Sequence, residues 1–260
     1  MKVLVTGGTG TLGREVVKQL REAGHTARVM SRKSNPGQSD DWVQGDLVTG
    51  VGLDRALIGM DAVVHAASAP TQPLKLRATD VVGTRRVLAM AREAGVRHAV
   101  YISIVGIDGV SYPYYKYKVA AEAVVREGIV PWSILRATQF HTLMDTFLSA
   151  FASLPGLAPV PFSWQFQPVD PSEVATRLVE VVTGEPRGML QDFGGPEVRT
   201  FKSLAESWLK ARGSTKRLVN LPLPFKFSRQ FSEGRVLAPD HRDGATTFEQ
   251  YLARRYPPKP

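Results

Sequence analysis

Cysteine is absent from the 260 residues of the sequence. This absence excludes disulfide frameworks, thiolate nucleophiles, cysteine-ligated zinc and iron–sulfur clusters, and no metal site is predicted. The N-terminal segment also lacks the apolar run of a secretory signal peptide, because Thr6-Gly7-Gly8 interrupts the short run Val3-Leu4-Val5. We therefore expect a cytoplasmic protein.

Charged residues are absent from one segment and unbalanced in another. Residues 146–169 carry no charge, but four prolines within them argue against a membrane span. We predict an apolar loop region with short elements, in which Phe162, Trp164 and Phe166 help to form the wall of a substrate pocket.

The net charge of +9 is concentrated in residues 199–260, which contain 13 basic residues and 5 acidic ones. Most of these basic residues are isolated, which favours a solvated face over a nucleic-acid surface.

Strand patterns and helical patterns alternate along the first part of the chain. Strands are predicted at Lys2–Thr6, Thr26–Ser31, Trp42–Gln44, Ala62–Ala67, His98–Ile104 and Trp132–Ala137. Helices are predicted after the glycine cluster and over Lys75–Gly95, Pro113–Gly128, Pro171–Thr183 and roughly Thr200–Gly213. Such alternation indicates an α/β fold, a Rossmann-type doubly wound parallel sheet. We expect a dinucleotide-binding core over residues 1–140, and over residues 141–260 mainly a small C-terminal substrate-binding cap, with some elements returning to the core.

Glycines recur at a fixed spacing directly after the first strand. Gly7, Gly10 and Gly13 form a GxxGxxG pattern between a strand and a helix. The unpaired N–H groups at a helix N-terminus attract a pyrophosphate, and glycine lets the backbone approach it closely. Because the pattern lies within a βαβ unit, it predicts dinucleotide binding.

An acidic residue is missing at the end of the second predicted strand. Sites that select NAD carry an acid there, which bonds the ribose 2′-hydroxyl. This sequence reads Met30-Ser31-Arg32-Lys33 instead. Arg32 offers a planar set of donors to a 2′-phosphate, and Ser31 and Lys33 can add to the site. We predict a preference for NADP(H) over NAD(H), with a solvated basic pair as the alternative.

Two overlapping Tyr-x-x-x-Lys registers follow the fifth predicted strand, Tyr112/Lys116 and Tyr114/Lys118. Pro113 is favoured at the first helical position, which leaves Tyr112 at the helix cap. Tyr114 and Lys118 both lie within the helix and share one face. A cation beside a tyrosine lowers its pKa from about 10 and so favours proton exchange at neutral pH. The pair Tyr114/Lys118 is therefore the predicted catalytic pair.

Further motifs stand at the ends of the other strands. They are Gly45-Asp46-Leu47, His65-Ala66-Ala67, Ser103, the run from Leu135 to Phe140, and Pro168-Val169-Asp170. With the glycine loop and Tyr114/Lys118, these motifs resemble the short-chain dehydrogenase/reductase superfamily, and within it the atypical NmrA-like members. The resemblance covers nearly the whole chain.

The resemblance implies a role for each matched position. The implied cofactor-binding residues are Gly7, Thr9, Gly10, Thr11, Leu12, Gly13, Ser31, Arg32, Lys33, Asp46, Leu47, Ala66, Ala67, Ser103, Lys118, Ala137, Thr138 and Phe140. The three glycines would hold the pyrophosphate, Arg32 the 2′-phosphate, and Asp46 and Leu47 the adenine. Ala66 and Ala67 would surround the ribose, Lys118 would hold the nicotinamide ribose, and Ala137, Thr138 and Phe140 would flank the nicotinamide. Tyr114 would be the proton donor and Ser103 the group that orients the carbonyl, with Tyr115 or His141 as alternative acids.

Three functions compete at this point. The predicted one is an NADPH-dependent reductase acting on a carbonyl or activated double bond of a small apolar molecule. An NADP(H)-sensing regulator without turnover would bind a partner protein or nucleic acid through the basic C-terminal region. A nucleotide-sugar epimerase or dehydratase needs a polar cap, whereas residues 147–166 are apolar. We expect a monomer or weak dimer that binds no membrane, and we consider nucleic acid an improbable partner.

Overall fold

The short β-branched runs of the sequence form strands in the computed structural model, which describes residues 1–35, 41–70 and 72–257. The strands are β1 (Lys2–Thr6), β2 (Thr26–Ser31), β3 (Trp42–Gln44), β4 (Ala62–His65), β5 (His98–Ile104), β6 (Trp132–Ala137), β7 (Leu157–Val160), β8 (Gln165–Phe166), β9 (Gly188–Met189), β10 (Arg199–Thr200) and β11 (Arg217–Asn220).

Seven of these strands form one sheet in the order β3-β2-β1-β4-β5-β6-β9. The first strand is central and pairs in parallel with two neighbours, so that Val5 lies opposite both Val29 and Val64. The strand order reverses direction between β1 and β4, and α/β sheets bind ligands at such a switch point. The predicted doubly wound parallel sheet is thereby confirmed.

Helices connect and flank the strands. They are α1 (Thr11–Glu22), α2 (Leu53–Leu57), α3 (Thr84–Glu93), α4 (Pro113–Arg126), α5 (His141–Phe151), α6 (Pro171–Thr183), α7 (Phe201–Ala211), α8 (Lys226–Ser232) and α9 (Phe248–Arg255). The helix predicted over Lys75–Gly95 is divided, because a 3₁₀ turn at Pro73–Lys75 and a π-helical segment at Arg77–Gly83 precede α3. Within the described ranges, no helix has the length and apolar character needed to cross a membrane.

The chain divides into two compact units. The first consists of Met1–Ser103, Pro113–Arg136 and Ser172–Gln191, and the second of Ile104–Tyr112, Ala137–Pro171 and the chain from Asp192 onward. Residues 104–112 and 137–140, predicted within the N-terminal core, lie in the second unit, and residues 172–191 of the predicted cap lie in the first.

The first unit is built around a core in which strand residues pack against helices. Leu4, Val63 and Ile134 from the sheet are fully buried with Leu57 of α2, and Val87 of α3 belongs to the same cluster. All four residues of β4 are buried, as expected of a central parallel strand covered on both faces. This core fixes the strand ends from which the candidate site is built.

The second unit has an aromatic core that corrects one prediction. Trp164 is 5% exposed and Phe166 is 1% exposed, so neither lines an open pocket. The ring of Trp164 stacks on Phe201 at a centroid distance of 6.0 Å and lies 5.1 Å from Phe231. These large apolar side chains gain more from burial among other rings than from exposure at a pocket wall. Phe162 alone of the predicted trio is partly exposed.

The uncharged stretch also contains more helix than the predicted loop with short elements. Helix α5 continues through Phe151, and Met144 and Leu148 of this helix are buried. These two residues lie four positions apart and therefore share one helix face. The prolines of the stretch begin only at Pro155, after α5 has ended. The predicted loop was therefore wrong for its first residues.

A buried histidine of the first unit connects β4 to β1 and α3. The Nδ1 atom of His65 lies 2.6 Å from the Thr6 hydroxyl, and its Nε2 atom lies 2.9 Å from the Thr84 hydroxyl. The Thr84 hydroxyl donates to the backbone carbonyl of Asp80, so its oxygen must accept from Nε2–H. Burial, together with the positive charge of Lys118, lowers the pKa of His65 to about 3. His65 is therefore neutral in the folded protein.

This neutral histidine makes stability depend on pH. The unfolded chain takes up a proton on His65 below its ordinary pKa of about 6.5, whereas the folded chain does not, so stability rises with pH between about 3 and 6.5. From pH 7 to pH 5 this residue should cost about 2 kcal/mol in the free energy of unfolding. The glutamine of His65→Gln is neutral at both pH values. Between pH 7 and pH 5, the free energy of unfolding of this variant should therefore fall by about 2 kcal/mol less than that of the native protein. Urea unfolding of both proteins at the two pH values measures it, and equal losses would contradict the assignment.

Candidate cofactor and active site

The glycine loop between β1 and α1 packs against neighbouring backbone with no room for side chains. A Cβ atom on Gly7 would lie 2.7 Å from the backbone nitrogen of Ala67, and one on Gly13 would lie 2.1 Å from the carbonyl oxygen of Gly7. Gly7 also has a φ of +71°, a conformation that favours glycine. The predicted residues Gly7, Gly13, Ala66 and Ala67 are thus brought together.

The N-terminus of α1 is open to a ligand. Gly10 is the N-cap residue, is exposed, and provides no side-chain cap hydrogen bond. The first N–H groups of any helix lack intrahelical acceptors, and the helix dipole adds partial positive charge there. Thr9 and Thr11 flank Gly10 at this surface, whereas the side chain of Leu12 is buried in the unit. The cradle fits a pyrophosphate, as predicted from the glycine spacing.

A cavity of about 260 Å³ lies at the carboxyl ends of β2 and β3. Its lining residues are Arg32, Gln44, Gly45, Asp46, Val51 and Arg55. Arg32 and Asp46, predicted to meet the 2′-phosphate and the adenine, are therefore brought to one cavity. Arg55 was not predicted, because nothing in the sequence places α2 beside the end of β2.

Local hydrogen bonds hold the loops around this cavity. The Ser31 hydroxyl accepts from the backbone N–H of Lys33 at 3.2 Å, and the Arg32 carbonyl accepts from the Gln44 side chain at 3.2 Å. The Asp46 carboxylate accepts from the backbone N–H of Val48 at 2.7 Å. One carboxylate oxygen of Asp46 is thereby engaged, and the carboxylate is held at the cavity.

Leu47 contributes to this region mainly through its backbone. Its side chain packs against the core of the first unit. Its carbonyl oxygen lies 3.5 Å from a guanidinium nitrogen of Arg86. An adenine contact by Leu47 remains a prediction.

The hydroxyl of Tyr114 is hydrogen-bonded, through Ser68, to a third side chain, that of Asp80. It lies 2.8 Å from the hydroxyl of Ser68, which in turn donates to the Asp80 carboxylate at 2.5 Å. Because the single Ser68 proton is given to Asp80, Ser68 accepts from Tyr114 in this arrangement. Burial raises the pKa of the Asp80 carboxyl. Ser68 follows β4 and Asp80 lies in the π-helical segment, a type of distortion that is frequent at functional sites.

Lys118 contacts a tyrosine that the sequence did not single out. Its ammonium donates to the Tyr101 hydroxyl at 2.6 Å and to the Ile102 carbonyl at 2.8 Å. Burial lowers the pKa of Lys118 to about 8, although the acidic groups of Asp80 and Glu122 act in the opposite direction. Burial also raises the pKa of Tyr101, which keeps that phenol neutral. The sequence predicts Tyr114 as the hydroxyl beside Lys118, whereas the structure shows the hydrogen bond made to Tyr101 of β5.

Ser103 lies at the end of β5 and is 2% exposed. Its hydroxyl has no hydrogen-bond partner among the described residues. A buried hydroxyl without a partner costs about 1–3 kcal/mol, so such groups in native proteins call for an explanation. A ligand oxygen at the carboxyl end of β5 would satisfy it.

The predicted nicotinamide-flanking residues lie in the second unit. Ala137 forms a parallel bridge with Phe193, and the Thr138 hydroxyl accepts from the backbone N–H of Gly195 at 3.1 Å. Phe140 is the N-cap residue of α5. Their contact with a nicotinamide remains a prediction.

The two alternative acids are both buried. Tyr115 is buried in the first unit with its ring 6.1 Å from that of Tyr114. His141 of the second unit stacks on Tyr251 at 5.4 Å, and its Nε2 atom lies 3.0 Å from the carbonyl oxygen of Thr246. Tyr114 is the more accessible of these three groups.

Comparison with known proteins decides the family. A family model described as NAD(P)H-binding matches residues 7–146, which include the glycine loop, Arg32, Tyr114 and Lys118. The chain belongs to the NAD(P)H-binding family. The resemblance to the short-chain dehydrogenase/reductase superfamily is thereby confirmed, and the protein is an NAD(P)-dependent oxidoreductase.

Individual relatives include a reductase, an assembly factor and a solved structure of the same fold. The (4-alkanoyl-5-oxo-2,5-dihydrofuran-3-yl)methyl phosphate reductase of Streptomyces griseus is 31% identical over 229 residues, which are 84% of this chain and 77% of the reductase. Photosystem II assembly factor Ycf39 of Synechocystis is 31% identical over 147 residues, but the match spans 45% of its length. A short-chain dehydrogenase/reductase superfamily protein from Agrobacterium tumefaciens with bound NAD shares the fold, with a TM-score of 0.73 at 21% identity, over 98% of this chain and 95% of that one.

Substitution of Gly13 tests the cradle. In Gly13→Ala, the new Cβ would collide with Gly7 and displace the loop. We expect the dissociation constants for NADPH and NADH to rise by about tenfold or more. Gly184→Ala is the matched control, because its Cβ would meet the Glu180 carbonyl at an ordinary 3.4 Å. Fluorescence titration measures both variants, and unchanged affinity in Gly13→Ala would refute the assignment.

Proposed function

We propose that this oxidoreductase uses NADPH to reduce a carbonyl or an activated carbon–carbon double bond of a small apolar molecule, with Tyr114 as the proton donor. The observation that carries the proposal is the Tyr114 hydroxyl, which is partly exposed and hydrogen-bonded to Ser68 at 2.8 Å. Bound NADPH would supply the hydride. The proton must then come from the protein or from water.

The side chains of the first unit divide the remaining tasks. Tyr114 gives its proton to the reduced substrate, and the Ser103 hydroxyl, which has no hydrogen-bond partner among the described residues, donates a hydrogen bond to the substrate oxygen. Lys118 lies one helical turn from Tyr114, so its positive charge favours the phenolate that forms. With a pKa of about 8, Lys118 is mainly charged at neutral pH and loses that charge above it.

The Streptomyces griseus relative supports the activated double bond of the proposed substrate. The compound in its name is a phosphate ester whose 2,5-dihydrofuran ring carries an oxo group and an alkanoyl group. Both carbonyl groups are conjugated with the ring double bond, which makes it an activated double bond. The similarity extends over 77% of that reductase, so the comparison concerns most of both proteins.

Arg32 supports the choice of NADPH. It directly follows β2, is exposed, and lines the cavity at the carboxyl ends of β2 and β3. No acidic residue occupies the end of β2, where an NAD-selective site would hold the ribose 2′-hydroxyl. A guanidinium in that place favours a 2′-phosphate.

A second candidate function is that of an NADP(H)-binding assembly or regulatory factor without turnover. The specific observation in its favour is the 31% identity to the assembly factor Ycf39, although over 45% of that protein. A screen of aldehydes, ketones, quinones and enones for loss of NADPH absorbance separates the two candidates. Turnover of any of them favours the reductase.

Removal of the Arg32 guanidinium tests the cofactor preference. Arg32→Ala should lose about 1.5–3 kcal/mol of the preference for NADPH over NADH, the range for hydrogen bonds to charged groups. Lys18→Ala, an exposed cation on α1, serves as the control and should keep the preference. Titration of the native protein and both variants with both cofactors gives the six dissociation constants needed. Equal constants in the native protein would exclude the proposed preference.

Removal of the Tyr114 hydroxyl tests the proton donor. Tyr114→Phe should lower turnover by roughly 10²–10⁴-fold, the usual contribution of general acid catalysis, with little change in NADPH affinity. Tyr117→Phe is the control, because Tyr117 lies on the same helix and has no assigned role. Full activity in Tyr114→Phe would show that a group other than Tyr114 donates the proton.

A further inference from the structure

We infer that Arg55 is a second arginine of the 2′-phosphate site and that it selects NADPH jointly with Arg32. The inference rests on the proposed use of NADPH and adds a specificity-determining residue from a separate element. Arg55 belongs to α2, 23 positions beyond Arg32 in the chain. Its side chain nevertheless lines the same cavity of about 260 Å³.

The backbone that carries Arg55 is anchored to the strand that leads to Arg32. The Arg28 guanidinium, which projects from β2, donates to the carbonyl oxygens of Arg55 at 3.2 Å, Ala56 at 3.1 Å and Ile58 at 2.8 Å. These are carbonyl groups at the end of α2, which lack intrahelical donors. The two elements that supply the cavity arginines are thus joined by three hydrogen bonds.

Close contacts at two glycines fix the cavity wall formed by the end of β3 and the start of α2. A Cβ atom on Gly52, the residue before α2, would lie 2.4 Å from the carbonyl oxygen of Gln44. One on Gly45 would lie 2.6 Å from the terminal methyl of Met30 and 2.7 Å from the carbonyl oxygen of Val51. The end of β3 and the start of α2 therefore touch through backbone atoms. Arg55 is carried on a wall that has little freedom to move.

The charges of the cavity suit a phosphate and an adenine together. Its charged groups among the described residues are the guanidinium groups of Arg32 and Arg55 and the carboxylate of Asp46. A carboxylate accepts from the amino group of an adenine, whereas two guanidinium groups suit an anion. A phosphate carries about −1.5 to −2 charges and three acceptor oxygens, which can engage both arginines. A ribose hydroxyl is neutral and offers a single oxygen.

Both arginines are available for such a ligand. The side chains of Arg32 and Arg55 are exposed, and no acidic partner is found for either within the described part of the chain. Some other arginines of the first unit are paired, such as Arg97 with Asp61 at 3.1 Å and Arg136 with Glu122 at 2.7 Å. An exposed guanidinium that stacked on the adenine would strengthen the binding of all adenine nucleotides equally. The experiment must distinguish this alternative from a contact with the phosphate.

The experiment uses two probes that need no turnover, adenosine 2′,5′-bisphosphate and adenosine 5′-monophosphate. Calorimetric titration compares the native protein with Arg55→Ala, Arg55→Lys, Arg32→Ala and the control Arg92→Ala, an exposed arginine of α3. We expect Arg55→Ala to weaken binding of the bisphosphate by about 10- to 150-fold, the range for hydrogen bonds to charged groups. Binding of the monophosphate should weaken by less than about twofold. Arg55→Lys should retain part of the selectivity, and Arg92→Ala all of it.

Each of the remaining outcomes contradicts either the role of Arg55 or the proposed preference for NADPH. Equal weakening of both probes in Arg55→Ala would assign Arg55 to the adenine and refute the inference. No effect of Arg55→Ala, with selective weakening in Arg32→Ala, would refute the inference and leave the proposed NADPH preference standing. A native protein that binds both probes equally would refute the NADPH preference itself. Circular dichroism and thermal unfolding check that each variant is folded.

Discussion

Backbone-to-backbone contact around the glycine loop sets the geometry on which the site depends. Because a Cβ on Gly7 would lie 2.7 Å from Ala67 and one on Gly13 would lie 2.1 Å from Gly7, the loop can lie directly against the chain that leaves β4. This contact places the open N-terminus of α1 and the segment from Ala66 to Ser68 at the same edge of the sheet. Ser68 in turn holds the Tyr114 hydroxyl. The glycine loop and the Tyr114 hydroxyl are therefore positioned through the same contact.

Three polar side chains are buried near this edge of the sheet, and their burial explains why their charge states depend on one another. His65, Asp80 and Lys118 are each at most 3% exposed, and an isolated charge in such surroundings would be costly. Burial lowers the pKa of His65 to about 3 and that of Lys118 to about 8, while it raises the pKa of Asp80. The neutral His65 and the coupled charges of Asp80 and Lys118 thus lower the cost of placing a charged lysine inside the unit.

Local signals predicted the first six strands and the glycine loop, but they predicted neither the short strands β7 to β11 nor the contacts between distant segments. The strand bounds of β1, β2, β3, β5 and β6 agree with the sequence because each is a short apolar run between turn residues. Arg55, Ser68, Asp80 and Tyr101 enter the site only through tertiary packing, so no spacing reveals them. Helix α9 was missed although its capping box, Thr247 with Gln250, is readable from sequence. Trp164 and Phe166 were placed at a pocket because composition alone cannot distinguish a pocket wall from a core.

The position of Lys118 shows how one strand aligns the candidate catalytic groups. Its ammonium is held by the Tyr101 hydroxyl and the Ile102 carbonyl, and the next residue of β5 is Ser103. Successive strand residues point to opposite faces, so Tyr101 and Ser103 share the face of β5. The strand therefore fixes the lysine through Tyr101 and presents the Ser103 hydroxyl, for which the described part of the chain offers no partner, on the same side. Since Tyr114 is carried on the same helix as Lys118, the register between β5 and α4 sets the distance between the Tyr114 and Ser103 hydroxyls. The cavity lined by Arg32 and Arg55 depends on the separate β2–α2 contact, so it can change independently of the groups around Lys118.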